Sequence, residues 1–378
     1  MKLALIGPTF PFRGGISHYT TLLYRALSNR HQVGFFSLYR QYPQWLFPGR
    51  TQIDRSDAAF QVANRPSLSP INPLSWLITA RRVARFDPEL IVLSWWHPFF
   101  APAFGSVARL ARWSVRRPSC FLCHNVIPHE STPVDRLLLR YAFGSGAAFI
   151  THSREDARQL ERLRPGARIY LNPHPTYEVF AAGPRWPNQA AKAALGLGGK
   201  RVLLHFGFIR DYKGLDHLLR AMERLEPQAG YHLLLVGEFY VDRAQYQVQL
   251  DRLAQRGQLT LVDRYVPNDE VALYFSAADL VTLPYVSATQ SGIVQIAYGF
   301  EKPVLATAVG GLPEVVIDGE TGYLVPPADA AAIAAAVRRH FETGEPERMR
   351  RRIVEESRRF SWEAMVRTIE RVAQDLRA

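Results

Sequence analysis

Two basic residues, Arg210 and Lys213, stand close together in "HFGFIRDYKGLDHLL", after an apolar run and before a helical one. Gly207 permits a turn and Gly214 opens the next helix, so both cations fall on a loop at the C-terminal edge of a strand. A guanidinium fork beside an ammonium point charge suits a diphosphate. A second group, Thr289, Gln290, Ser291 and Gly292, precedes the helix "GIVQIAYGF" and brings hydroxyls and unsatisfied N–H groups to one helix start. "AVGGLPEVV" adds Gly310, Gly311 and Glu314 after the following strand. A third group, Gly14 and Gly15 in "GPTFPFRGGISHYTTLLYRAL", leads into a helix whose inner face is Ile16, Tyr19, Leu23 and Leu27. That Gly-Gly pair is either a structural turn or an anion cradle at a helix N-terminus, and it does not match the G-x-G-x-x-G dinucleotide fingerprint.

His124 ends a strand in "SCFLCHNVIPHE", where Cys120, Cys123, His124 and His129 raise the question of zinc or redox chemistry. Residues three apart in a strand point to opposite faces, and a redox Cys-x-x-Cys opens a helix. The cysteines are therefore expected in the core, and no metal site is expected. His124 keeps two readings: a group that takes part in chemistry, and a structural histidine hydrogen-bonded at a strand end.

These groups need strands that end at one sheet edge. The chain has 378 residues, 47% hydrophobic and 21% charged, which suits two packed domains and not a disordered chain. Apolar runs predict strands over 2–6, 32–37, 89–94, 119–124 and 147–151, then over 201–206, 231–236, 259–263, 280–284 and 303–307. Helical patterns separate them; Leu215, Leu218, Leu219, Met222 and Leu225 share one face as a core stripe. Continuous apolar strands between helices indicate parallel sheets covered on both faces, hence two doubly wound α/β halves. The expected domains are 1–172 and 200–360, joined by a Pro- and Gly-rich linker over 173–199. An amphipathic helix over 361–378 follows, with Ser361 as its N-cap and Glu363 in its first turn.

Lys and Arg outnumber Asp and Glu by 46 to 34, a formal +12, which favours a phosphorylated ligand, an anionic membrane surface or nucleic acid. The basic residues are spread along the whole chain without a nucleic-acid motif, so no nucleic-acid partner is expected. In "GSVARLARWSVRRP", Arg109, Arg112 and Arg116 share a helix face beside Trp113, a pattern that fits anionic lipid headgroups or an ordinary solvated face. Leu90 to Ala108 carries no fixed charge, but Pro98 and Pro102 interrupt it, so strand, turn and helix fit better than a span of about 20 residues. The short apolar run in "MKLALIGPTFPFRGG" is a first strand rather than a signal peptide. The expected address is cytoplasmic, peripheral on the inner membrane face if the arginine helix binds lipid.

In order along the chain, "RGGISHYTTLL", "HNVIPHE", "THSRED", "FGFIRDYKGLDHLL", "LLLVGE", "YVPNDEVALYFSAADLVTLPY", "GIVQIAYGFEKPVLATAVGGLPEVVIDGETGYLVPP" and "FSWEAM" together resemble the family 4 retaining glycosyltransferases. The resemblance spans nearly the whole chain and is least over 39–88. It implies a GT-B fold, two Rossmann-like doubly wound domains facing across a cleft, with the acceptor on the N-terminal domain and the nucleotide sugar on the C-terminal one. The final helix would pack back on the N-terminal domain. Arg210 and Lys213 would neutralise the donor diphosphate without a metal, in keeping with the absence of Asp-x-Asp, and no cofactor is implied. Tyr265 and Val266 would line the nucleobase loop, and His124 would lie near the transferred sugar. The implied activity is retaining, hexosyltransferase-type transfer from a nucleoside-diphosphate sugar to a glycan or lipid-linked glycan, in polysaccharide or glycolipid biosynthesis.

The chain departs from that pattern in two places. Two glutamates usual in the family are replaced by Ala288 and Ile296, and the basic residue usual after the loop glycine gives way to Phe208, with Arg210 two residues later. Because electrostatic stabilisation of the leaving diphosphate is the main demand, the site is expected to work without those acids. Thr289, Gln290 and Ser291 would then recognise the sugar hydroxyls. The alternative raised by Ala288 and Ile296 is a protein that binds nucleotide sugars without transferring them.

Overall fold

The computed structural model describes residues 1–43, 47, 49, 51–54, 60–127, 132–181, 186–342 and 345–377; His129 lies outside the described residues. The chain divides into two compact units, Met1–Pro173 with the segment from Ser361 on, and His174–Phe360.

Unit 1 alternates β1 (Lys2–Gly7), α1 (Gly15–Ser28), β2 (Gln32–Ser37), α2 (Pro73–Phe86), β3 (Leu90–Trp95), α3 (Ala101–Val115), β4 (Ser119–Cys123), α4 (Pro133–Phe143), β5 (Ala148–Thr151), α5 (Arg154–Leu163) and β6 (Ile169–Leu171). Its six strands run in the order β2-β1-β3-β4-β5-β6, all parallel. The order reverses between β1 and β3, and a reversal opens a crevice at the carboxyl ends of the two strands. The uncharged stretch from Leu90 becomes β3, buried throughout, followed by α3, whose inner face is buried. Trp95, Phe121 and Phe143 meet edge to face there, with centroids 5.0 to 6.0 Å apart. Cys120 and Cys123 are free and fully buried in β4, and Cys123 belongs to this core.

Unit 2 contains α6 (Asn188–Ala194), β7 (Arg201–Phe206), α7 (Leu215–Glu223), β8 (Tyr231–Val236), α8 (Gln247–Gln255), β9 (Leu259–Val262), α9 (Val271–Ala277), β10 (Leu280–Leu283), α10 (Gly292–Gly299), β11 (Val304–Thr307), β12 (Gly322–Val325), α11 (Ala330–Glu342) and α12 (Pro346–Ser357). Its strand order is β12-β11-β10-β7-β8-β9, again all parallel, and the reversal falls between β7 and β10. Leu215, Leu218, Leu219, Met222 and Leu225 are all buried in its core.

Two strands escape the hydrophobic pattern. β6 has three residues, none fully buried, at the sheet edge, and β12 is four residues that begin with glycine. The stretch read as a linker belongs to unit 2 from His174 on; α6 packs on α9, and its Lys192 Nζ donates to Asp279 at 2.7 Å.

α13 (Trp362–Asp375) belongs to unit 1 and packs on α1. Ser361 caps it by accepting from the Ala364 N–H, and it is tied down by Thr368 to Asn172 at 2.9 Å and by His31 to Glu370 at 3.0 Å.

Candidate functional site

In unit 2 the residues singled out by sequence gather at the β7/β10 reversal. The chain leaves β7 at Gly207, whose φ of 100° suits glycine and where a Cβ would stand 3.1 Å from the Lys213 Nζ. Gly214, at φ 66°, passes so close to the end of β10 that a Cβ would lie 2.0 Å from the Pro284 carbonyl oxygen. The two glycines press Lys213 into the angle between the strands. It is 8% exposed, and burial first, then the charge of Arg210, pushes its ammonium down from 10.5 to about 8. It still carries its proton at neutral pH. Beneath it, burial first and Lys213 second push His205 down to about 3, so that imidazole stays neutral.

Neither Arg210 nor Lys213 forms an ion pair among the described residues. Two adjacent cations without a carboxylate, one of them buried, are unstable alone and are relieved by an anion. Beside them, the Ser291 side chain caps α10 by accepting from the Ile293 N–H at 3.2 Å. Its oxygen also lies 3.2 Å from the Tyr285 hydroxyl, and the Tyr285 ring centroid is 5.7 Å from the Lys213 Nζ. Ile293 comes within 3.6 Å of a Cβ placed on Gly207, so α10 and the cation loop are neighbours.

The loop before α10 rests on the second glycine turn. Gly311 N–H donates to the Thr289 carbonyl at 2.8 Å, and a Cβ on Gly310 would lie 1.6 Å from the Ala288 carbonyl oxygen. Thr289 is buried, while Gln290, Ser291 and Gly292 are half-buried. Glu314 closes the turn Leu312–Glu314 and is half-buried. Ala288 and Ile296 are both buried, so the positions of the usual glutamates are occupied by packed apolar groups. Tyr265 is half-buried and stacked near Phe208, with centroids 6.3 Å apart, and Val266 is buried beside it in sequence.

Unit 1 carries the other candidates, at its own β1/β3 reversal. Gly14 is the N-cap of α1, with φ 101° and no side chain to cap the first turn, and Gly15 is exposed. His124 is buried beyond β4; its Nε2 meets the Ser94 hydroxyl at 2.9 Å, and Ser94 meets Thr20 of α1 at 3.2 Å. Tyr19, also on α1, sets its ring edge against His124 at 4.4 Å. His124 is thus hydrogen-bonded at a strand end and joined to the helix that Gly14 opens. The sequence places Tyr19 on the inner face of a helix and Ser94 as a polar residue at a strand end, and gives neither a role in the site.

The arginine helix departs from expectation at two positions: Arg116 lies beyond its last residue, as a C-cap at φ 53°, and Arg109 turns inward. Arg109 lies over the Tyr141 ring at 4.1 Å and donates to the Gly105 and Tyr141 carbonyls, so it is spent on joining α3 to α4 and does not point outward with its neighbours. Arg112 and Arg116 are exposed, as are Trp113, at 84%, and Leu137 of α4, at 70%. Among the described residues no helix is long and apolar enough to cross a membrane, and no group of three or more His, Cys, Asp or Glu could hold a metal ion.

A family model for group 1 glycosyl transferases matches residues 200–343, and one for the glycosyl transferase 4-like domain matches residues 14–174. The chain belongs to the family 4 glycosyltransferases. D-inositol 3-phosphate glycosyltransferase of Kribbella flavida is 31% identical over 237 residues, 58% of this chain and 54% of that protein. The enzyme of that name from Corynebacterium diphtheriae is 25% identical over 258 residues, 65% of this chain and 60% of that protein. The matched region therefore spans less than two thirds of the length of these relatives. Among solved structures, Anabaena HepE in complex with UDP superimposes with a TM-score of 0.73 at 18% identity, over 99% of this chain and 100% of that one. Sucrose-phosphate synthase of Thermosynechococcus elongatus gives 0.75 at 20% identity, over 99% and 98%. At such identities the likeness shows the fold, and the fold is GT-B.

Proposed function

We propose that the chain is a metal-independent retaining glycosyltransferase that moves a hexosyl group from a nucleoside-diphosphate sugar to a glycan or lipid-linked glycan, in polysaccharide or glycolipid biosynthesis. The observation that carries this reading is the uncompensated pair Arg210 and Lys213 beside the capped start of α10. Charge-assisted hydrogen bonds from these two groups hold the diphosphate and stabilise the charge that grows on it as the glycosidic bond breaks. They do the electrostatic work that a divalent cation does elsewhere. The leaving phosphate oxygen then takes the proton of the acceptor hydroxyl on the same face of the sugar.

Thr289, Gln290 and Ser291 meet the sugar hydroxyls, with Glu314 nearby, and Tyr265 and Val266 meet the base. Unit 1 receives the acceptor; His124, held by Ser94 and Tyr19, acts on the sugar, and the first turn of α1 at Gly14 and Gly15 binds phosphate. The exposed Arg112 and Trp113 of α3, with Arg116 at its C-cap, attach unit 1 to an anionic membrane surface on the cytoplasmic side.

The test is incubation with UDP-, GDP-, ADP- and dTDP-sugars in EDTA together with lipid-linked and free glycan acceptors, following nucleotide release and the anomeric configuration of the product. Turnover with one base series and retention of configuration are expected. Binding of a nucleotide sugar with neither transfer nor hydrolysis would favour the non-catalytic reading that Ala288 and Ile296 raise.

A further inference from the structure

We propose that Tyr240 and Tyr285 are positioning residues that orient the two loop cations through their rings and leave both positive charges available to a ligand. The inference rests on the diphosphate reading of Arg210 and Lys213. The Arg210 guanidinium lies 5.2 Å from the Tyr240 ring centroid, and the Lys213 Nζ lies 5.7 Å from that of Tyr285. Both fall within the roughly 6 Å at which the negative face of a ring attracts a cation.

Cations of unit 2 are held in two ways: Arg201, over the Tyr231 and Phe341 rings at 5.2 and 5.6 Å, is held by rings as Arg210 and Lys213 are, and others are held by carboxylates. Arg220, Arg243, Arg252 and Arg264 each pair with a carboxylate, at Asp216, Asp263, Glu223 and Glu270. A carboxylate fixes a guanidinium but cancels its charge; a ring fixes it without cancelling it. Only the second arrangement leaves a held cation with its full charge for a polyanion.

Each platform is itself held in place. Ile209 N–H donates to the Glu238 carbonyl at 3.0 Å and Tyr240 N–H to the Ile209 carbonyl at 2.9 Å, which zips the loop after β7 to the loop after β8. Phe208 stacks on the Tyr240 ring at 4.3 Å and 28°. Phe208, the residue standing where the resemblance places a base, therefore supports the platform of the displaced cation. On the other side, the Tyr285 hydroxyl meets Ser291, the cap of α10, at 3.2 Å, and Tyr212 sets its ring at 79° to that of Tyr285. One phenol thereby joins the ammonium to the helix start.

The experiment is calorimetric titration of UDP, GDP, ADP and inorganic pyrophosphate into the full chain and its Tyr240→Leu, Tyr240→Phe, Tyr285→Leu, Tyr285→Phe and Arg210→Gln variants, at several salt concentrations. Tyr240 is half-buried and carries the test if Tyr285→Leu fails to fold. Tyr240→Leu should weaken binding about tenfold, while Tyr240→Phe, which keeps the ring, stays within about twofold of the parent. The salt dependence of Kd should be unchanged in Tyr240→Leu, where both charges remain, and smaller in Arg210→Gln, where one is gone. Equal losses in Tyr240→Phe and Tyr240→Leu would assign the effect to the hydroxyl and overturn the inference. So would parental binding in Tyr240→Leu while Arg210→Gln is impaired, an outcome that leaves the diphosphate reading standing. If the parent binds none of the four and Arg210→Gln changes nothing, both fall.

Discussion

Replacing Lys213 by Met should make the nucleotide-free protein more stable. Burial, with Arg210 second, lowers Lys213 from 10.5 to about 8, so the folded chain holds an ammonium that it disfavours at neutral pH. At about 1.4 kcal/mol for each tenfold change in proton affinity, the penalty is about 3 kcal/mol. Met keeps the apolar stem and removes the charge. Because the folded value lies below the unfolded one, the penalty is fully present below about pH 8, shrinks as pH rises toward 10.5, and is gone above that. Urea unfolding at a series of pH values should therefore show Lys213→Met ahead of the parent by up to about 3 kcal/mol at pH 7, with the gap closing above about pH 8. The same variant should lose diphosphate binding. A variant less stable than the parent at pH 7, or a gap without pH trend, would refute the view that this lysine is kept charged against the fold for the sake of a ligand.

Three further outcomes follow from the geometry. Diphosphate affinity should fall toward tenfold per pH step above about pH 8 as Lys213 deprotonates, and Lys213→Arg, which stays charged, should flatten that fall in a calorimetric pH series. Gly310→Ala places a Cβ 1.6 Å from the Ala288 carbonyl at φ 52°; a loss of roughly 1 to 3 kcal/mol is expected, together with loss of any nucleotide-induced rise in Tm. In vesicle sedimentation, binding to anionic phosphatidylglycerol vesicles should fall with salt and with Arg112→Ser and Trp113→Ser, but much less with Arg109→Lys, since that side chain is engaged by Tyr141.

The sequence is most informative where burial is continuous. Short runs with apolar centres such as "RVLLHF" and "YHLLLV" read as inner strands, and the end of the first leads directly to the loop that holds Gly207 and Arg210. It is least informative where a side chain's role depends on its neighbour across the fold. Tyr240 and Tyr285 carry no signal in the sequence; the pairing of β7 with β8 on one side and β10 on the other brings the cations to their rings. A helical wheel places Arg109 with Arg112 and Arg116, but only the packing of α4 on α3 shows Tyr141 taking it. β6 and β12 sit at sheet edges, too short for a pattern. The Ala-rich helix α6 is masked by the Pro and Gly around it, although Ala191 and Lys192 are buried.

The most direct test of the central claim is calorimetric titration of UDP, GDP, ADP and dTDP, in EDTA, into the parent chain and Lys213→Ala. Preferential binding of one base is expected, with affinity lost by about 10- to 100-fold in the variant, the range for removal of a charged hydrogen-bond donor. No binding of any nucleotide, or equal affinity in parent and variant, would contradict the assignment of this loop to the donor diphosphate.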